Sequence, residues 1–338
     1  MILTVTPNPA WDLTYEVPAL VPGEVHRVAR VHRRLGGKGV NVARVLTVIG
    51  HDAVAVIPGP PGLAAEAGLD VPAGHPAAVG PRLVCDVVPG LPVIRQTLVV
   101  QSAEGTTTSL WEPGIEPDSG TDRALTSRVR AWLHPDGRAG QAAGVPGAGA
   151  GSRAAAGARG IVVSGSLPPG FDARFHARLA VMALEAGVPA VIDTSGEALK
   201  HAASVPGAVI APNAAELAQL TGQACRGPAE AIDASRTLLG GPLLAVVVTL
   251  GEDGLAAVTR NGIWRGCLAG RLAGNPTGAG DAAVAALIAG LAAAVSWPEI
   301  VREAVALSAA AVLSPVAGEA APADIARLRS QVVVTEVV

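Results

Sequence analysis

A glycine-rich turn that runs straight into a carboxylate is the stretch of this sequence best suited to chemistry. Gly278, Ala279 and Gly280 are tiny residues, Asp281 follows at once, and 282–291 is a run of small apolar helix formers. Such a turn leaves backbone N–H groups free, and the start of a helix adds partial positive charge, so together they can hold an anion. A carboxylate beside an anion site suits phosphoryl transfer, because it can orient the attacking hydroxyl and take its proton.

Two other interpretations of this turn are open at this point. The spacing from Gly278 to Ala283 also fits a dinucleotide-binding fingerprint, which would suit a nucleotide-dependent oxidoreductase. That fingerprint normally follows an apolar strand, whereas a polar, proline-containing segment comes first here, and a low-complexity run at 149–154 fits it equally well. The turn could also be purely structural, with Asp281 as an ordinary cap of a packing helix.

A second glycine turn opens another helix near the N-terminus. Gly36 and Gly37 lead into Lys38 and Asn41, and the apolar positions that follow keep helical spacing as far as Ile49. This is not a Walker A loop, because the leading glycine and the hydroxyl residue of that motif are missing. The glycines let the backbone approach a polyol, whose oxygens or phosphate the two polar side chains could reach. The alternative is a plain helix-start turn.

Two further polar groups follow the ends of predicted strands. Asn213 and Glu216 stand three apart at a helix start, which suits a Mg²⁺ ion bound through water or, alternatively, a capping box. Thr249 opens a turn that contains Gly251 and Gly254, which suits the phosphates of a nucleotide or a simple hairpin.

Alternating, partly polar strands at about 12–34 and 93–111 predict a small exposed sheet that acts as a flap. Asp12 follows the first core strand, where open α/β sheets place ligand contacts, although capping a turn is the commoner role. Arg95 lies on the second pair of strands, where its planar fork could clamp a phosphate. With Lys38, it predicts a polyol that already bears a phosphate, since a neutral one would leave two cations unpaired in a closed site.

The order of elements brings these turns to one edge of a sheet. Between 160 and 264, short apolar strands alternate with helices, which predicts a mainly parallel sheet with helices on both faces. Polar turns follow its strand ends, so one site fed by several loops is expected. A low-complexity run at 134–160 predicts a flexible surface insertion within a single domain that spans 1–338.

Composition limits the class of protein. Hydrophobic residues make up 50% and charged residues 16% of the chain, which indicates a globular protein. The net charge of -3 gives no footprint for nucleic acid, and no apolar run is long enough to cross a membrane. Three widely spaced cysteines form no metal-binding pattern and, with an N-terminus unlike a signal peptide, favour a cytoplasmic location.

Seven short motifs together resemble the PfkB (ribokinase-like) sugar kinases, within them the 1-phosphofructokinase and tagatose-6-phosphate kinase branch. They occur in the family's order: TPNPAWD at 6–12, GGKGVNVARVL at 36–46, SGSLPPG at 164–170, DTSGEAL at 193–199, PNAAEL at 212–217, TLGEDG at 249–254 and PTGAGD at 276–281. The resemblance implies a ribokinase-like three-layer α/β/α domain with a mainly parallel central sheet and a small β-sheet lid. It also implies an ATP- and Mg²⁺-dependent phosphotransferase that acts on an alcohol group.

The resemblance further implies roles for individual residues. Asp281 would be the catalytic base, and Gly278, Ala279 and Gly280 the anion hole. The sugar phosphate, fructose 1-phosphate or tagatose 6-phosphate, would face Asp12, Gly36, Gly37, Lys38, Asn41 and Arg95. ATP would contact Asn213, Thr249, Gly251, Gly254 and Thr277, and Mg²⁺ would reach Glu216 through water. The lid strands would form the contact of a homodimer.

The sequence departs from the family in three places. Ala211 stands where the family usually has Lys before Pro-Asn, so one positive charge near the phosphates is missing. The usual glycine-pair loop is degenerate at Pro58–Gly62, and the insertion is unusual. Fructose 6-phosphate or an unphosphorylated sugar therefore stays open as the substrate, and a catalytically weak sugar-phosphate-binding protein stays open as the function.

Overall fold

The computed structural model describes residues 1–69, 81–134 and 157–337. Most of the predicted insertion, 135–156, lies outside the described residues, so its flexibility stays a prediction. The chain on either side of it is held together, because the N–H of Ala158 donates to the carbonyl of Trp132 at 3.3 Å. No helix in the described ranges is both long and apolar enough to cross a membrane.

A large sheet forms the centre of the molecule. The strands of the described ranges are β1 (Ile2–Val5), β2 (Ala10–Val17), β3 (Arg30–Gly36), β4 (Ala53–Pro58), β5 (Leu83–Val88), β6 (Arg95–Ser102), β7 (Thr107–Trp111), β8 (Ile161–Ser164), β9 (Ala190–Asp193), β10 (Val209–Ile210), β11 (Ala245–Thr249), β12 (Leu255–Thr259), β13 (Gly262–Leu268) and β14 (Val332–Glu336). The ten-stranded sheet has the order β14-β13-β12-β11-β10-β9-β8-β1-β4-β5. Strands β11 to β5 in this order are parallel, and β12, β13 and β14 add an antiparallel edge, as the mainly parallel prediction requires.

Helices cover both faces of this sheet. Those of the described ranges are α1 (Lys38–Val48), α2 (Leu63–Glu66), α3 (Thr121–Leu133), α4 (Phe175–Glu185), α5 (Gly196–Ala202), α6 (Ala214–Thr221), α7 (Pro228–Leu238), α8 (Ala279–Ala292), α9 (Trp297–Val312) and α10 (Pro322–Arg329). Successive strand residues face opposite layers: Ile57 belongs to the core with α1, α8, α9 and α10, and Val56 to the core with α3 to α7. Because both faces are covered, the central strands are apolar except for Thr4 and for the polar residues at their ends. The predicted three-layer fold is confirmed.

Four strands form a second, smaller sheet in the order β3-β2-β6-β7. Its central pair is parallel and its outer pairs are antiparallel, so the sheet is mixed. It corresponds to the small sheet predicted from sequence at about 12–34 and 93–111, but within the first range residues 18–29 between β2 and β3 are not strand. There the chain turns at 22–24, and the ring of His26 accepts a hydrogen bond from the N–H of Val21 at 2.8 Å.

The parallel strands end along one edge of the central sheet. Ser164, the last residue of β8, pairs in register with Asp193, the last residue of β9. Thr6 follows β1 at the same edge, and the chain leaves it there for the small sheet. The polar turns predicted from sequence therefore lie where the central sheet, α1 and the small sheet meet.

Candidate active site

The turn before α8 has the conformation that its glycines allow. Gly278 caps the helix at φ +87, a left-handed backbone, and a Cβ there would lie 3.0 Å from the Cα of Ala317. Gly280 differs, because a Cβ on it would meet nothing within 4 Å. Among the hydrogen bonds of the described residues, none is donated by the N–H of Gly280 or Asp281. The first turn of α8 thus presents free donors beside open space, as an anion site requires.

Asp281 is a buried carboxylate with 7% of its surface exposed. Its Oδ2 accepts a hydrogen bond of 3.1 Å from the Asn41 amide. Burial raises the pKa of Asp281 to about 7, because the ionised carboxylate loses its hydration. The positive charge of Lys38 offsets this only partly, and repulsion from the Asp193 carboxylate raises the pKa further. The helix start alone favours a lower pKa, so burial overrides the helix dipole here. A carboxylate of this kind can take up a proton near neutral pH.

One amide joins Asp281 to the small sheet. The Nδ2 of Asn41 also donates to Oδ2 of Asp12 at 3.3 Å, and Oδ1 of Asp12 accepts from the Thr97 hydroxyl at 2.6 Å. A Cβ at Gly36 would overlap the Asp12 carboxylate, so that glycine makes room for it. The predicted residues Asp12, Gly36, Asn41 and Asp281 therefore form one continuous polar group.

Lys38 points towards the other end of the site. Its Nζ donates to Oδ1 of Asp193 at 2.8 Å, and Gly37 begins the helix with φ +97. Burial alone would lower the pKa of Lys38, but the carboxylates of Asp193, Glu216 and Asp281 together raise it. The premise that a neutral sugar would leave Lys38 unpaired is therefore wrong, because Asp193 is already its partner. Its predicted role in binding the sugar phosphate stays a prediction.

Arg95 is the first residue of β6, in the small sheet. Its guanidinium is held by carbonyls, with Nε donating to Asn8 at 3.3 Å and Nη1 to Glu112 at 2.9 Å. Burial lowers its pKa, and the nearby charges of Asp12 and Glu112 oppose that shift. Across the described ranges Arg95 enters no ion pair within 4 Å. A bound anion could therefore supply the negative charge that its guanidinium lacks as a partner.

Asn213 and Glu216 form the capping box that was the alternative to a metal site. The Asn213 side chain accepts from the Glu216 N–H at 2.8 Å, and Oε2 of Glu216 accepts from the Asn213 N–H at 2.9 Å. Burial raises the pKa of Glu216, with Lys38 opposing that shift. In the part of the chain that the structure describes, no group of three or more metal-binding side chains is found. A capping box still leaves one carboxylate oxygen, so a water-mediated role stays a prediction.

The predicted nucleotide loop lies beside this cap. Thr249 ends β11 and forms an isolated bridge with Asn213, and a 3-10 turn follows at Gly251–Asp253. Gly251 has φ +61 with open space around its Cβ position, whereas a Cβ at Gly254 would overlap the Gly266 carbonyl. Thr277 belongs to the α8 turn instead, where its N–H donates to Oδ1 of Asn275 at 3.0 Å. The structure thus brings Asn213 to Thr249, and Thr277 to the glycine turn of Asp281.

Sequence reasoning missed three residues of this region. Asp193, only 4% exposed, pairs with Lys38, Thr97 hydrogen-bonds Asp12, and Asn8 supplies a carbonyl to Arg95. Asp193 gave a usable signal, because a carboxylate that ends an apolar strand lies at the ligand-binding edge of such a sheet. Thr97 gave none, since its role depends on the register of β2 with β6.

A mainly parallel α/β sheet with a buried carboxylate at a glycine-rich helix start is the arrangement expected of a phosphotransferase of the sugar-kinase type. The chain belongs to the pfkB family of carbohydrate kinases, because the sequence model of that family matches residues 152–324. It is accordingly an ATP-dependent sugar kinase, similar to the phosphofructokinases.

Several relatives span nearly the whole chain. A 1-phosphofructokinase from Rhodobacter capsulatus is 30% identical over 311 residues, which cover 92% of this chain and 90% of the relative. An ATP-dependent 6-phosphofructokinase isozyme 2 from Mycobacterium tuberculosis is 30% identical over 319 residues, which cover 93% of this chain and 84% of the relative. Among solved structures, phosphofructokinase-2 from Escherichia coli is 26% identical, with a TM-score of 0.76 and 97% and 98% covered.

Proposed function

We propose that the protein transfers the γ-phosphoryl group of ATP to a hydroxyl of a phosphorylated ketohexose, with Asp281 as the base. The observation that carries this proposal is the position of Asp281 at the start of α8. A buried carboxylate with a pKa of about 7 can accept the proton of the attacking hydroxyl at physiological pH. The free N–H groups of Gly280 and Asp281 suit the charge on the transferred group.

Arg95 supports a phosphate on the acceptor sugar. Its guanidinium is partly buried, has carbonyl partners and lies near Asp12, which is joined to Asp281 through Asn41. A phosphate group on the sugar would complete its charge balance through two parallel hydrogen bonds. Fructose 1-phosphate is the acceptor we favour, with tagatose 6-phosphate next. Fructose 6-phosphate is the competing substrate, since Escherichia coli phosphofructokinase-2 has been solved with it.

The acidic residues of the site fit a Mg²⁺ ion that arrives with the nucleotide. Glu216 lies close enough to Asp193 for their charges to interact, but Oε2 of Glu216 is engaged in the capping box. These residues suit contact through water better than a dedicated cage of protein ligands. When bound, Mg²⁺ neutralises charge on the phosphates. Lys38, held by Asp193, adds positive charge at the same place, where Ala211 supplies none.

The decisive experiment compares acceptor sugars. We expect kcat/KM with ATP to be highest for fructose 1-phosphate, measured against tagatose 6-phosphate, fructose 6-phosphate and fructose. In Arg95→Ala the KM for the sugar phosphate should rise roughly 10- to 150-fold, since a charge-assisted hydrogen bond contributes about 1.5–3 kcal/mol and about 1.4 kcal/mol is tenfold. The KM for ATP should change little.

Arg30→Ala is the matched control, because Arg30 is also an arginine of the small sheet but is exposed and paired with Glu16. It should leave both KM values unchanged. A preference for fructose, or unaltered discrimination in Arg95→Ala, would overturn the phosphosugar assignment and leave the kinase intact. ATP turnover too slow to follow with any of these sugars would favour a sugar-phosphate-binding protein, and tight binding of a nicotinamide cofactor would favour an oxidoreductase.

The small sheet also suits a homodimer contact. Its two outer strands carry exposed apolar side chains, with Val31 55%, Leu110 59% and Trp111 68% exposed. A second copy of the chain is the partner that we propose for this surface, and the Escherichia coli relative has been solved as a tetramer. Light scattering after size-exclusion chromatography should give a dimer for the native protein and a monomer for Trp111→Glu.

A further inference from the structure

Asn8 is a buried amide at the point where the chain leaves the central sheet for the small sheet. Only 3% of its surface is exposed, and prolines at 7 and 9 restrict the backbone on both sides. A buried amide of this kind must have hydrogen-bond partners, because an unpartnered one would cost free energy. Its partners identify the segments that it connects.

The side chain of Asn8 joins two segments that are distant in sequence. Its Nδ2 donates to the carbonyl of Pro113 at 3.0 Å and to the hydroxyl of Ser166 at 3.2 Å. Pro113 lies where the chain returns from β7 to the central domain, and Ser166 follows β8. A Cβ at Gly114 would lie 2.6 Å from Oδ1 of Asn8, so the returning chain passes close against the amide. Asn8 therefore ties two of the four crossings between the sheets, the one after β1 and the one after β7, to the edge of the central sheet.

The backbone carbonyl of Asn8 holds Arg95. The guanidinium donates to this carbonyl at 3.3 Å and to the carbonyl of Glu112 at 2.9 Å. Glu112 immediately precedes Pro113, the residue that accepts from the Asn8 amide. Both carbonyls that orient Arg95 thus belong to segments that the Asn8 side chain holds together.

We propose that Asn8 is a positioning residue, which sets the place of Arg95 through the crossings after β1 and after β7 and so sets the affinity for the sugar phosphate. This rests on the proposed function of Arg95. Asn8→Asp keeps the shape of the side chain but replaces its donor with an acceptor, which then faces the carbonyl of Pro113. The small sheet should shift, and the two carbonyls should no longer hold Arg95 in one geometry.

The test compares Asn8→Asp, Arg95→Ala and their double variant on the acceptor that the wild type uses best. Loss of one hydrogen bond is worth about 0.5–1.5 kcal/mol, so the KM for the sugar should rise several-fold to tenfold, with kcat and the KM for ATP within about twofold. The double variant should be no worse than Arg95→Ala, because both changes act through one guanidinium. Effects that add would overturn the proposal.

Asp86→Asn is the control for simple loss of stability. Asp86 is buried and accepts hydrogen bonds from Arg128 and from Trp132 at 2.7 Å, away from Asn8. It should lower Tm without changing either KM. An Asn8→Asp variant that lowers Tm in the same way with an unchanged sugar KM would make Asn8 structural only.

Hydrogen exchange provides a readout that needs no substrate. In Asn8→Asp the amides of 95–97 and 112–116 should exchange faster, while those of α3 should not; in Asp86→Asn the reverse is expected. If the wild type phosphorylates no ketohexose phosphate, that result overturns the proposed function and does not decide the role of Asn8. Exchange of 95–97 that does not change in Asn8→Asp would overturn the positioning role whatever the substrate is.

Discussion

The two glycine turns of the site look alike and are built differently. Gly37 and Gly278 each begin a helix with a positive φ, at +97 and +87, and neither helix has a side-chain cap. In the first turn the charged residue is already satisfied, because Lys38 is paired with Asp193. In the second, Asp281 has a raised pKa and its turn presents free N–H groups to open space.

The difference shows which turn is packed against the rest of the protein and which turn is open to a ligand. A Cβ at Gly39 would overlap the Thr6 hydroxyl, so the first turn owes its small residues to the packing of the protein itself. Gly280 has no such neighbour, so the packing of the protein does not account for a small residue there, and room for a ligand is the explanation that we propose. Its place at the start of α8, next to Asp281, is what connects that open space to the reaction.

Asp281→Asn should give the largest effect. Loss of a positioned base typically costs about 10²- to 10⁴-fold in rate, while the fold and both ligands should be retained. Steady-state kcat and calorimetric binding of ATP measure the two parts. Near-normal kcat in this variant would remove Asp281 from the chemistry and make the two turns equivalent.

The pH profile of kcat/KM should report the ionisation of Asp281 in the turn before α8. Asp281 must be ionised to act as a base, so the rate should fall about tenfold per pH unit below its pKa of about 7 and level off above it. Because the folded-state pKa is raised above the ordinary value, Asp281 stabilises the fold at low pH and loses that contribution as pH rises to about 7. Asp281→Asn should therefore have a higher Tm than the wild type at pH 8, with the difference shrinking towards pH 5. A flat profile from pH 5 to 8 would contradict this.

Alanine at the two glycine positions should separate stability from activity. Gly39→Ala should lower the free energy of unfolding by about 1–3 kcal/mol, because the added methyl group overlaps Thr6. Gly280→Ala should keep or raise Tm, since alanine favours helix, but should lower kcat about tenfold by obstructing the anion. Thermal melts and kinetics of both variants check this, and an active Gly280→Ala enzyme would show that the space is not used.

Glu216→Gln should give the smallest effect. If Glu216 reaches Mg²⁺ through water, the Mg²⁺ concentration for half-maximal rate should rise a few-fold at constant ATP. Gln keeps the capping geometry, so Tm should hardly change. An identical metal titration would leave Glu216 as a helix cap and a neighbour of Lys38.

Local sequence predicted the elements well and the pairings poorly. The strand ends, the helix starts and the Gly–Asp turn follow from apolar periodicity and from residues within one turn of each other. The contact between Lys38 and Asp193 could not be predicted in this way, because it depends on β9 lying two strands from β1 in the sheet order. Burial is equally non-local: the helix start alone favours a lower pKa for Asp281, and the three-layer packing reverses that expectation.

The hydrogen bond between Ala158 and Trp132 has a consequence for how this gene can change. It fixes the two points that the chain must join between α3 and β8. For a flexible connection, which the composition of the insertion predicts, the entropy of closure depends only weakly on length, at about 0.6 kcal/mol per doubling. We therefore expect codons to be gained, lost or replaced between those points at small thermodynamic cost. For a protein engineer, the same junction is a candidate insertion site for a reporter domain, because it leaves the strand ends that form the candidate active site unmodified.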